Sequence, residues 1–185
     1  MFVRIKKIKG NFYVYLVENT WTPKGSRQKT KAYLGKLQQL EKIKEISFED
    51  FLSKNYKQSL EIYIEKTTPQ SIVLDLLICE LQKHGFTETL TKRVLTKESL
   101  VADLNKLRFF KNNFDTDVEI VLKLNNEFMC KHTIQQLFAL KINGDEDICG
   151  QKLAETIVAA GISLQPELFI ALFEKIYKNE VLSIQ

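Results

Sequence analysis

Two histidines, three cysteines, three prolines and one tryptophan in 185 residues leave little material for the common catalytic and metal sites. Cys79, Cys130 and Cys149 are an odd number at wide spacing, which excludes a disulfide framework and reads as reduced thiols. Cys130 and His132 stand two apart, and Cys79 precedes His84 by five. Neither is a zinc spacing, so no metal is expected. Gly-x-Ser-x-Gly, His-Glu-x-x-His, a glycine-rich phosphate loop and a dinucleotide fingerprint are all missing, so the chain reads as no enzyme, with no catalytic residues and no cofactor. The acidic group Asp145-Glu146-Asp147 reads as helix capping rather than as a magnesium site. No run reaches the roughly 18 apolar residues of a membrane span, and Met1–Lys7 is charged and lacks the apolar core of a signal peptide. The expectation is a cytoplasmic protein with no membrane partner.

What the chain does have is an uneven charge. Residues 1–36 hold nine basic groups and one acid, Glu18, a net of +8, whereas the other 149 residues hold 18 basic and 22 acidic groups, a net of −4. A dense cation beside a mildly acidic body is the pattern of a dedicated anion-binding surface. The competing reading is a strand edge kept soluble by lysines.

Hydrophobic residues make up 44% of the chain, enough for an ordinary core. Phe2–Lys9, Phe12–Glu18 and Arg27–Leu34 carry the β-branched and aromatic residues of strands, punctuated by Gly10-Asn11, by a loop with Pro23 and Gly25, and by Gly35. They predict a three-stranded antiparallel meander. From Lys36 onward the spacing turns helical. Ser47 opens a helix to about Tyr56, Leu60–Lys66 suits either element, and Thr68-Pro69 starts a helix that Gly85 stops. Further helices are expected at about 88–95, 97–110, 116–129, 133–142, 147–160 and 166–178. Thr96, Asp115 and Thr133 are candidate caps, Gly161 is a stop, and Pro166 is a first helical position. The predicted fold is α+β: a small N-terminal three-stranded antiparallel sheet (residues 1–36), a connecting segment (37–66) and an all-helical domain (67–185).

Side chains alternate along a strand, so Arg4 and Lys6 share a parity, as do Tyr13 and Tyr15, and Arg27, Lys29, Lys31 and Tyr33. A meander can bring the three sets to one cationic face, with Val3, Ile5, Phe12, Val14, Leu16 and Leu34 turned to the body. The loop with Trp21 and Lys24 then reaches along a backbone or into a groove. The expected nucleic-acid-binding set is Arg4, Lys6, Tyr13, Tyr15, Trp21, Lys24, Arg27, Lys29 and Lys31, acting on the phosphates of DNA or RNA.

Asn11–Glu18 (NFYVYLVE), the basic glycine-containing loop and Arg27–Leu37 (RQKTKAYLGKL) resemble the N-terminal region of insertion-sequence transposases of the IS4/IS1634 type. Ile72–Leu95, with Glu80–Phe86 (ELQKHGF), is similar to the helices that follow there. The resemblance covers residues 1–95 at most. It implies a DNA-binding module detached from the RNase H-like nuclease, since residues 96–185 give no run of strands for one. The same opening precedes other prokaryotic domains, some of the Fic type, whose His-Pro-Phe signature is absent here. The function expected is non-catalytic DNA binding, as a transposase-derived accessory or regulatory protein. The alternative is a protein–protein adaptor, or a homo-oligomer, built on the helical domain, with an apolar groove around Leu137, Phe138, Leu168, Phe169 or Phe173. A third reading is a metal-dependent nuclease with scattered acids.

Overall fold

The computed structural model describes residues 1–179 apart from 24, 114–115 and 141–143. Residues 2–39 form an antiparallel meander of β1 (Phe2–Ile8), β2 (Asn11–Thr22) and β3 (Gly25–Gln39). Three helices follow, α1 (Phe48–Tyr56), α2 (Leu60–Lys66) and α3 (Pro69–Lys83). Then come β4 (Thr87–Glu88), β5 (Val94–Lys97), β6 (Leu100–Asp103), β7 (Arg108–Lys111), β8 (Val118–Leu124) and β9 (Glu127–Met129). The described chain closes with α4 (Lys131–Phe138), α5 (Glu146–Ala159) and α6 (Pro166–Asn179).

The expectation of a small three-stranded sheet followed by an all-helical domain is therefore wrong. All the described strands join one nine-stranded sheet in the order β1-β2-β3-β8-β7-β6-β5-β4, with β9 also paired to β8. The helices anticipated at 88–95, 97–110 and 116–129 are strands and hairpin turns, and Thr96 lies inside β5 rather than capping a helix. Asp115 lies outside the described residues. One physical reason is that the turns use residues other than glycine at positive φ: Arg93, Glu98, Leu107 and the Asn125-Asn126 pair of the β8–β9 hairpin. Without glycine or proline punctuation, Leu100, Leu104 and Leu107 keep the spacing of a helix. The other reason is β8, where Val121 interrupts the alternation. Ile120, Leu122 and Leu124 face the main core, while Val121 packs with Val14 and Cys130. One apolar residue on the second face is enough to give Val118, Val121 and Leu122 the spacing of a helix.

The helices pack on one face of the β5–β9 part of the sheet. Leu95, Ala102 and Phe109, partners across β5, β6 and β7, line up under that layer. The caps follow the sequence. Ser47 and Asp50 form a reciprocal box at α1, Thr68 accepts from the Ser71 N–H at 3.3 Å, and Asp145 accepts from the Ile148 N–H at 3.1 Å. Cys130, not Thr133, is the N-cap of α4. Thr133 sits three residues on, where its Oγ1 accepts from the Cys130 N–H at 3.1 Å.

Buried polar groups tie the layers together. The Glu80 carboxylate on α3, 1% exposed, accepts from Lys83 Nζ at 3.0 Å, Asn125 Nδ2 at 2.8 Å and the Ser163 N–H at 3.3 Å. Asn125 Nδ2 also donates to the Gly161 carbonyl at 2.9 Å. Asp75, on the same helix, accepts from the Tyr56 hydroxyl at 2.8 Å and from that of Tyr63. Burial holds the Asp75 carboxyl above the usual carboxylate range, and the two tyrosine hydrogen bonds oppose the shift.

The ribbon joins the body at one parallel seam, where Lys36–Gln39 of β3 pair with Ile120–Lys123 of β8. Gly35 makes that seam possible. Its φ is +141°, and a Cβ there would lie 2.8 Å from the Ile120 carbonyl carbon and 3.0 Å from the Glu119 carbonyl oxygen. Both neighbours are backbone and cannot turn aside. Gly35→Ala is expected to lower stability by about 2–4 kcal/mol, combining an unfavourable φ with overpacking. Exchange protection of the Leu40 amide, which donates to the Lys123 carbonyl at 3.2 Å, should fall with it. Unchanged urea unfolding and unchanged exchange at Leu40 would show that the seam tolerates a side chain.

Candidate nucleic-acid interface

The ribbon is two structures in one. Near its root, β1 backs β2, pairing Phe2 with Val17 through to Ile8 with Asn11. Beyond Val17, only β2 and β3 continue, from the Glu18–Lys29 pair to the Thr22–Gly25 pair. At about 3.4 Å per residue, these five rungs make a two-stranded arm of about 17 Å. Trp21 stands 86% exposed near its tip. Lys24 lies outside the described residues.

Two β-bulges divide the face that strict alternation would have produced. Register shifts between Val14 and Tyr15 and between Leu16 and Val17 leave Leu34 and Lys31 as extra residues on β3. A bulge resets the side-chain alternation of its strand. Directly opposed residues share a face. At the root, therefore, Arg4 opposes Tyr15, Lys6 opposes Tyr13, and Tyr33 opposes Tyr15. The Lys6 ammonium sits 4.8 Å from the centre of the Tyr15 ring, and the Tyr33 ring is 6.3 Å from Tyr13 and 5.4 Å from Tyr15. Arg27 opposes Thr20 and Lys29 opposes Glu18, so they share the other face of β2, away from Tyr15. Lys31, at the second bulge, forms an ion pair of 2.6 Å with Glu18. The structure thus brings Arg4, Lys6, Tyr13 and Tyr15 together with Tyr33, and sets Arg27 and Lys29 apart on the arm.

The electrostatics differ between the two parts. Hydrogen bonding and charge from Lys31 hold the Glu18 carboxyl below the usual carboxylate range. The only acid of the ribbon is thus ionised and ion-paired with Lys31, with Lys29 opposite it adding a weaker attraction, and Arg27 and Lys29 remain exposed. Burial, then the neighbouring Tyr13 and Tyr15, push the Tyr33 phenol up, so it stays neutral and able to donate. On the inner side, Val14 and Leu16 are buried and Val3 and Leu34 pack beside them, while Ile5 and Phe12 remain exposed.

Beside Tyr33, where β3 leaves β8, lies a cleft of about 210 Å³. Tyr33 and Phe109 form part of its wall, and Arg108, Glu119, Lys131 and Gln135 stand around it. Arg108 is fixed by Asp117, 3.4 Å away, and by the Phe110 ring, 4.7 Å from its guanidinium. Burial holds His132, also lining the cleft, below the usual imidazole range. Sequence reasoning missed Arg108, Lys131 and Gln135, because β7 and α4 reach Tyr33 only through the β3–β8 seam. The one local signal was the pair of aromatic residues flanked by basic ones in Arg108–Lys111.

Among the described residues, no three His, Cys, Asp or Glu side chains converge as a metal site would require. A larger cleft of about 380 Å³ has its lysines paired internally, Lys42 to Glu45 at 2.6 Å and Lys83 to Glu80 at 3.0 Å. Cys79 in its wall is pushed up to about 11 by burial, leaving the thiol protonated. Leu137, Phe138, Leu168 and Phe173 are buried in the main core and Phe169 is partly buried against it, so they do not form an exposed groove. Among the described residues, no helix is long and apolar enough to cross a membrane. No protein family, curated protein or solved structure matches the chain.

Proposed function

We propose that the protein binds DNA through the phosphate backbone, using the β2–β3 arm and the cationic face at its root, without catalysing a reaction. The observation that carries this reading is the arm itself: two strands, five rungs, Arg27 and Lys29 exposed, and an indole left bare near the tip. The major groove of B-DNA, about 12 Å wide, admits a two-stranded ribbon. The deep, narrow major groove of A-form RNA does not, which favours DNA over RNA. Lysine and arginine supply the backbone contacts that position such a ribbon. The resemblance of residues 1–95 to transposase N-termini points the same way and suggests an accessory or regulatory protein derived from one, acting in the cytoplasm.

Trp21 is the only tryptophan, so its emission reports on the arm alone. Titration with duplex DNA at low salt is expected to change that emission, and raising the salt should reverse the change as counterions return to the phosphates. Emission unchanged by DNA, with no complex seen by fluorescence anisotropy of labelled duplex, would overturn the proposal.

A further inference from the structure

The cleft beside Tyr33 is unlike the arm. Tyr33, exposed, gives it an accessible aromatic ring, and Gln135 and Glu119 offer both hydrogen-bond donors and acceptors. Arg108 and Lys131 place cations beside it. At about 210 Å³ it is below the roughly 300 Å³ at which sites for drug-sized ligands begin. Tyr33 belongs both to this cleft and to the tyrosine cluster of the ribbon root, where Lys6 and Arg4 stand. A strand lying on the root therefore has its phosphates beside cations and its bases within reach of Tyr33.

We propose that this cleft receives one unpaired nucleobase of the bound DNA, stacked on Tyr33 and read at its edge by Gln135 and Glu119. The proposal rests on the DNA-binding reading and names the form of DNA. The arm meets paired backbone and the root meets a nucleotide free of its partner, so the preferred ligand is a duplex with an unpaired base. Aromatic side chains hold unpaired bases whatever their identity, because every base has a π-face. A fully paired duplex cannot enter, since its bases are stacked and their pairing edges occupied.

The test compares two labelled oligonucleotides of one sequence, a perfect duplex and the same duplex with a single extra unpaired base, by anisotropy at fixed salt. The bulged duplex is expected to bind about tenfold tighter or more. Tyr33→Ala should erase that preference, read as the ratio of the two affinities because Tyr33 also touches Tyr13 and Tyr15 of the root, and Tyr33→Phe should keep it. Gln135→Ala, on an exposed helix position, provides a second variant that should weaken the preference without touching the ribbon. Equal binding of the two duplexes by the wild type would overturn this inference and leave the backbone-binding reading standing. So would a Tyr33→Ala protein that folds and loses affinity for both alike. Failure of the wild type to bind either duplex would overturn both.

Discussion

Glu80→Ala is expected to lower the free energy of unfolding by about 3–5 kcal/mol, the usual cost of removing one partner from a buried charge network. The loss is large because three donors depend on this one carboxylate. Lys83 Nζ, Asn125 Nδ2 and the Ser163 N–H come from α3, from the β8–β9 turn and from the segment after α5. Alanine leaves all three without that acceptor in a place where Lys83 is only 13% exposed. Domains of this kind are stable by about 5–15 kcal/mol, so a fifth of the total or more is at stake. Urea unfolding should show the midpoint falling by about 2 M. Asn125→Ala alone should cost less, because the turn loses one side chain while Glu80 keeps Lys83 and Ser163. The double variant should fall short of the sum, as expected for residues in one network. A cost for Glu80→Ala below about 1 kcal/mol would show that water replaces these contacts and that the three segments are held by packing alone.

The helical caps were legible because their chemistry is local. Ser47 with Asp50, Thr68 with Pro69, Asp145, and Pro166 at the head of α6 each act within four residues, and the structure uses each at its helix start. The strands beyond residue 86 were not legible, for reasons equally physical. Glu98, Leu107 and Arg93 turn the chain at positive φ without glycine, so nothing in the sequence marks the reversal. Val118–Leu124 alternates except at Val121, which packs on the second cluster, and this one interruption leaves Val118, Val121 and Leu122 at helical spacing. Pairing across the seam from Lys36 to Ile120 joins residues more than eighty positions apart, beyond what any local pattern encodes. The candidate site shows the same division. Tyr13, Tyr15, Arg4 and Lys6 obey their parity because no bulge interrupts β1 or its pairing with β2. Arg27 and Lys29 part from Tyr33 because Lys31 is an extra residue in the β2–β3 ladder, and one inserted residue reverses the faces of all that follows.

Reversing Arg27, Lys29 and Lys31 together to Glu is expected to abolish DNA binding while leaving the fold intact. All three lie in the exposed stretch of β3, and surface charges of this kind contribute little to stability. With about five phosphates neutralised in the complex, the slope of log affinity against log salt should be roughly −4 to −5 for the wild type. Lys29→Ala should flatten it by about one unit and weaken all sequences alike. Lys31 should behave differently because Glu18 already holds it at 2.6 Å. Lys31→Ala removes a cation and also frees an ionised carboxylate beside the phosphates, so it should cost more affinity than Lys29→Ala. Glu18→Gln should have the opposite sign, releasing Lys31 and steepening the slope. Trp21→Ala should lower affinity with the slope unchanged, since an indole contributes stacking or wedging but no charge. Each variant is read by anisotropy of a labelled duplex across a salt series, with circular dichroism to confirm folding. Wild-type affinity in the triple variant, or identical effects of Lys29→Ala, Lys31→Ala and Glu18→Gln, would place the binding surface elsewhere and leave the arm as a charged edge that only prevents strand-to-strand association.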